Sequence, residues 1–230
     1  MRKGHKGLTE KQAIILDWID RLGVAQVGQL VKVSKIRAIT IYKTVDRLKE
    51  YGFVEDSGKI KPKFYWITKA GSEYNGKINM AYRKKISNYA LLRHTILVND
   101  LIYYFMKNYE AEGTEYSLET ERELMVKKRF EMVMTGSQAK RTLVPDFVIT
   151  TNGHRYPIEV ELTQKSGTRV DHKMEMYKAE LAAGIDEMVY YFSDERLIRE
   201  LIQAFINYKG LQNEVEVYDL DQVLGDDQSI

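Results

Sequence analysis

Lys43-Thr44-Val45-Asp46-Arg47-Leu48-Lys49-Glu50-Tyr51-Gly52-Phe53-Val54 is the stretch on which the fold turns. Val45 and Leu48 recur at helical spacing, Gly52 supplies a stop, and Phe53-Val54 begins a strand directly behind it. Traced backwards, the helix covers 36–51 with Ile39, Val45 and Leu48 as its buried stripe. Further upstream, Thr9 followed by Gln12 is a capping-box pattern, and Ile14, Ile15, Trp18, Ile19 and Leu22 predict a helix over 8–22 that Gly23 ends. A short helix around 27–31 leads through Val33 and Ser34 into the third, which makes a helix-turn-helix pattern. Downstream, a turn at Asp56-Ser57-Gly58 and the alternating Phe64-Tyr65-Trp66-Ile67 complete a two-stranded hairpin.

Charge divides the chain in the same place. Residues 1–80 hold sixteen Lys and Arg against eight Asp and Glu, whereas residues 113–230 hold fourteen against twenty-two. The first segment has the electrostatic footprint of something that sits on phosphates, and the second does not. A chain of 230 residues with 44% hydrophobic and 30% charged residues has room for two small soluble domains. No cysteine is present, so there is no disulfide framework and no thiolate metal site. The apolar stretch 96–106 is broken by Asn99 and Asp100, which argues against a membrane span. The basic start Met1-Arg2-Lys3-Gly4-His5-Lys6 is followed by no apolar signal core, so the expected location is cytoplasmic.

From 78 to 112 the pattern is helical, with Ala90, Leu91, Ile96, Leu97, Leu101, Ile102, Phe105 and Met106 as its apolar band. It reads as a helical linker wide enough to support a homodimer. His94 lies on it and is read as a packed residue rather than a ligand. The acidic half contains Val144-Pro145-Asp146-Phe147-Val148-Ile149-Thr150, a turn at Asn152-Gly153, then Tyr156-Pro157-Ile158-Glu159-Val160-Glu161-Leu162-Thr163, a hairpin by its turn chemistry. Alternation puts Glu159 and Glu161 on one face, with Asp146 beside them on the neighbouring strand. Converging carboxylates with oxygen-only donors suit Mg²⁺ or Mn²⁺. A helix over 168–183, a strand over 188–192, a helix over 195–208 and a strand over 214–218 follow. Arg169, Lys173 and Tyr177 share one face of the first of these helices, either aimed at the carboxylates or simply solvated. Lys127-Lys128-Arg129 and Lys140-Arg141 flank 130–138, read as an exposed loop or hairpin, and the tail 225–230 as frayed. The four histidines, His5, His94, His154 and His172, show no metal spacing.

The first 75 or so residues resemble winged-helix DNA-binding domains. The resemblance implies that the third helix enters the major groove, with Arg37, Thr40, Tyr42, Lys43 and Arg47 facing it and Lys59, Lys61 and Lys63 on the wing. Pro145-Asp146 and Glu159-Val160-Glu161 resemble the PD-(D/E)XK nuclease superfamily, except that Glu161 stands where its lysine usually is. The resemblance implies Asp146, Glu159 and Glu161 as catalytic and metal-holding residues, an upstream acid at Glu121, and a lysine drawn from the following helix, Lys165 or Lys173. The succession of winged helix, Leu92-Arg93-His94-Thr95-Ile96-Leu97-Val98-Asn99-Asp100, Glu121-Arg122-Glu123-Leu124 and the carboxylate hairpin is similar to the replication-relaxation family of bacterial plasmids, phages and conjugative elements.

These readings set an expected α+β organisation: a winged helix-turn-helix over 1–77, a helical linker over 78–112, and a PD-(D/E)XK-like domain with a central mixed sheet over 113–230. Two functions stand open. One is a double-stranded DNA-binding protein acting in replication, mobilisation or transcriptional control, alone or with replication or mobilisation proteins, on a nuclease-like scaffold. The other is a metal-dependent endonuclease or nickase using Asp146, Glu159, Glu161 and Lys173. A winged helix used for protein contacts, and Glu159 and Glu161 as an ordinary solvated pair, are the bland alternatives.

Overall fold

Thr9 starts the first helix as its spacing predicts. The Thr9 hydroxyl accepts the Gln12 N–H at 3.4 Å while the Gln12 side chain accepts the Thr9 N–H at 3.0 Å. The computed structural model describes residues 7–77, 88–135 and 143–225. The chain divides into two compact units, Met1–Tyr103 and Tyr104–Ile230.

The first unit contains α1 (Glu10–Leu22), β1 (Val24–Ala25), α2 (Val27–Ser34), α3 (Ala38–Glu50), β2 (Val54–Asp56), β3 (Tyr65–Ile67) and α4 (Lys69–Tyr74). Its strands form an antiparallel sheet in the order β1-β3-β2, with Trp66 opposite both Val24 and Glu55. Helix α3 buries Ile41, Thr44, Val45 and Leu48. This corrects the expected stripe, because Ile39 is 61% exposed. The i, i+3, i+4, i+7 row that starts at Ile41 faces the core, and a residue two positions earlier points away from it. Likewise α1 buries Ile15, Leu16, Ile19 and Leu22, and leaves Ile14 exposed.

Gly52 turns the chain out of α3 with φ 75°, and the Phe53 N–H bonds the Leu48 carbonyl at 2.9 Å. Phe53 then lies against α4 so closely that a Cβ on Gly71 would stand 2.2 Å from the Phe53 carbonyl oxygen. Only glycine fits there. Asp20, fully buried on α1, is paired with this corner: it accepts from the Ser72 hydroxyl at 3.1 Å and the Asn75 amide at 3.3 Å.

Helix α5 spans Tyr89–Glu112, and the division between units falls within it. Residues 78–87 of the expected linker lie outside the described residues. In the first unit Leu92 packs with Val24, Phe64 and Trp66, while Asn99, the residue that breaks the apolar stretch, donates to the Val24 carbonyl at 2.7 Å. Contrary to the expected band, Ala90 and Leu91 are exposed.

The second unit contains β4 (Tyr116–Thr120), α6 (Glu121–Thr135), β5 (Phe147–Thr151), β6 (His154–Val160), α7 (Gly167–Ala182), β7 (Val189–Ser193), α8 (Arg196–Lys209), β8 (Val215–Asp219) and α9 (Leu220–Gly225). The sheet is mixed, in the order β4-β5-β6-β7-β8, antiparallel from β4 to β6 and parallel from β6 to β8. Asn152 (φ 52°) and Gly153 (φ 81°) make the tight turn between β5 and β6 that an Asn-Gly pair favours. Helices α7 and α8 pack on the sheet through Met174, Tyr177, Ile198, Ile202 and Ile206, against Val189, Tyr191 and Val215. Phe105 of α5 sits 6.0 Å, centroid to centroid, from both Phe147 and Phe192. The segment expected as a loop or hairpin is helical as far as Thr135, so Lys127, Lys128 and Arg129 sit on α6. Lys140-Arg141, His5 and residues 226–230 lie outside the described residues.

Candidate functional site

Two groups of residues have the chemistry to act, one in each unit. In the first, Arg37 caps the start of α3, and Arg37, Tyr42, Lys43 and Arg47 are all exposed, while Thr40 is half-buried. Arg47 is braced on its own helix, 2.5 Å from Glu50 and with its guanidinium 5.3 Å from the Tyr51 ring centre. Glu50 is the largest influence that holds this guanidinium's pKa above its ordinary value. On the β2–β3 hairpin, Lys59, Lys61 and Lys63 are exposed, and Lys63 lies 3.4 Å from Asp56. Asp56 also accepts the Gly58 N–H at 2.8 Å and pairs with Lys49, so it fixes the base of the loop that carries the lysines.

In the second unit the sheet brings three acids to the ends of β5 and β6. Asp146 precedes β5: its N–H bonds the Ile158 carbonyl at 3.1 Å, its carbonyl accepts the Glu121 N–H at 2.8 Å, and its carboxylate accepts the Val160 N–H at 2.7 Å. One residue therefore ties the start of β5 to β6 on one side and to the first residue of α6 on the other. Glu159 is only 3% exposed and Glu161 7%. The reading of these acids as a solvated pair is corrected, because α7 lays Lys173 and Tyr177 over Glu159 and Lys165 pairs with Glu161.

Lys173 Nζ lies 2.6 Å from one Glu159 oxygen, and the Tyr177 hydroxyl donates to the other. Lys165 pairs with Glu161, whose N–H bonds the Phe192 carbonyl at 2.8 Å. The face of α7 anticipated from Arg169, Lys173 and Tyr177 thus delivers two of its three residues to Glu159. Burial is the strongest influence on Glu159 and pushes its carboxyl above the usual range, against the pull of Lys173. Burial alone would lower Lys173, but Glu159, Asp146 and Glu161 together outweigh it and hold the ammonium above its ordinary pKa.

A cleft of about 800 Å³ opens beside this cluster, lined by Glu161, Lys165, Arg169, His172, Lys173 and Tyr191 among others. No motif in the sequence marks Tyr191. The signal lay in register, since Tyr191 pairs with Glu159 across β6 and β7. Its hydroxyl is buried without a hydrogen-bond partner, and Lys173 Nζ lies 5.8 Å from its ring centre.

The fit to a divalent cation is poor as these residues stand. Both Glu159 oxygens are engaged, Glu161 holds Lys165, and Asp146 is bonded to Val160. Among the described residues no three acidic or histidine side chains converge in a way that could hold a metal ion. Glu121 heads α6, and its main-chain N–H meets Asp146. The cation at the centre of the cluster is the ammonium of Lys173. No protein-family model matches the chain, and no curated protein matches it in sequence.

Proposed function

We propose that the protein binds double-stranded DNA through its first unit, a winged helix whose α3 enters the major groove and whose β2–β3 hairpin carries lysines to the backbone. The observation that carries the reading is the cationic surface of α3 and the hairpin: Arg37, Lys43, Lys59 and Lys61 are exposed, outside the buried row of α3 and the buried strand β3. The order of elements, three helices with a short strand after the first and a hairpin after the third, supports it. So does the excess of eight positive charges in residues 1–80, sixteen less eight. By its resemblance to the replication-relaxation family, the role is in replication, mobilisation or transcriptional control of a plasmid, phage or conjugative element. Tyr89 and Leu91, exposed at the start of α5, offer apolar surface for a homodimer.

The second unit belongs in this reading as a PD-(D/E)XK-like scaffold. The succession α5, β4, β5, β6, α7, β7 around a mixed sheet, with α6 inserted between β4 and β5, supports the likeness, and Lys173 reaching Glu159 from the following helix agrees with it. The acids are neutralised by the chain's own lysines, so no cleavage step is assigned to them. The test is binding of a labelled duplex by fluorescence anisotropy. Replacing Lys43 and Arg47 by Ala is expected to weaken binding about ten- to a hundredfold, and Glu159→Gln to leave it unchanged in protein that remains folded. Equal loss in both would overturn this division of labour.

A further inference from the structure

Ile39 is the second residue of α3 and one of the most exposed aliphatic side chains described in the chain. It contributes nothing to the core, which α3 meets through Ile41, Thr44, Val45 and Leu48. Isoleucine is also an indifferent choice for an exposed position in a helix, where a branched Cβ loses rotamer freedom without packing in return. On the helix surface its i+3 and i+4 neighbours are Tyr42, 49% exposed, and Lys43, with Arg37 at the cap. An apolar side chain is thus set among cations in the first turn of the helix that, on the reading above, lies in the major groove.

In a groove-bound helix the N-terminal residues meet the base edges while flanking cations meet phosphates. The major-groove edge of a base pair offers one apolar feature, the 5-methyl group of thymine. We infer that Ile39 reads a thymine 5-methyl, with Tyr42 closing the contact from one side, so that the recognised site holds a thymine at that place. The cationic surroundings favour a polyanion over an apolar protein face as the occupant. The inference rests on the duplex-DNA reading of the first unit and gives it a specificity-determining residue.

The experiment selects a preferred duplex with the full chain from a random pool, then replaces its thymines one at a time by deoxyuridine. That change removes the methyl group and nothing else that the groove presents. One buried methyl at about 0.8 kcal/mol corresponds to about fourfold in affinity. One replacement is therefore expected to cost the wild-type chain about fourfold. Ile39→Ala is expected to bind the thymine duplex about fourfold more weakly and to be indifferent to that same replacement, with an unfolding midpoint no lower than the wild type's, because the side chain is exposed and alanine is the better helix former. Indifference of the wild type to every deoxyuridine overturns the inference, as does a methyl effect that persists in Ile39→Ala. Self-association that Ile39→Ala abolishes also overturns it, by assigning the side chain to a second copy. Failure to bind any duplex removes the DNA reading itself and this inference with it, an outcome distinct from binding without methyl sensitivity.

Discussion

Glu159, Lys173 and Tyr177 show how much a single buried charge demands of its neighbours. A carboxylate 3% exposed is tolerable only because an ammonium stands 2.6 Å from one oxygen and a phenol bonds the other. Lys173→Met leaves that charge unpaired, and urea unfolding is expected to show a loss of about 3–5 kcal/mol, partly recovered when Glu159→Gln is added. Tyr177→Phe is expected to cost less, about 1–3 kcal/mol, because the lysine remains. A second acid pair sets a pH dependence. Glu180 is pushed up to about 7, first by burial and then by its hydrogen bond and repulsion with Asp186, whose other partner is Arg155 at 2.7 Å. The folded state therefore keeps a proton that the unfolded chain releases near its ordinary carboxyl value. That contribution is fully present below the unfolded pKa and is lost as pH rises through about 7. Thermal midpoints are expected to fall between about pH 4.5 and 7, with a shallower slope in Glu180→Gln; equal slopes would contradict the assignment.

At the scale of elements, what was legible in the sequence is what local chemistry decides. Thr9 with Gln12 marks the start of α1, Gly23 its end, and Asn152-Gly153 the tight turn of the carboxylate hairpin. The phase of α3 was not legible. Ile39 and Ile41 are equally apolar, and only packing against α1 and α2 decides which one turns inward. Strand β1 is two residues long and exists through its pairing with β3, so no periodicity announces it. The basic clusters flanking 130–138 suggest an exposed loop or hairpin there, yet α6 runs on to Thr135 and buries Leu124. Two substitutions separate a local from a tertiary constraint. Thr9→Ala removes a cap and is expected to cost about 1 kcal/mol. Gly71→Ala places a Cβ against the Phe53 carbonyl and is expected to cost more, about 1–3 kcal/mol, both read from urea midpoints.

Across the whole molecule, the division in charge matches a division in chemistry. The first unit keeps Arg37, Lys43, Lys59 and Lys61 exposed, whereas the second spends Lys165 and Lys173 on neutralising its own acids. The carboxylates were legible because Pro145-Asp146 and Glu159-Val160-Glu161 lie on one hairpin, a contact of short sequence separation. Their engagement by α7 was legible only as a shared helix face, since the approach of Lys173 to Glu159 depends on how a crossover helix settles on the sheet. Tyr191 needed the parallel register of β7 and was out of reach. The central claim is that the first unit holds duplex DNA by its phosphates, and the salt dependence of binding tests it most directly. With Arg37, Lys43, Arg47, Lys59, Lys61 and Lys63 as the available cations, log K plotted against log salt is expected to fall with a slope of about −3 to −5, shallower by one to two units in Lys43→Ala/Arg47→Ala. Binding that ignores salt, or a slope unchanged in that variant, would contradict the account.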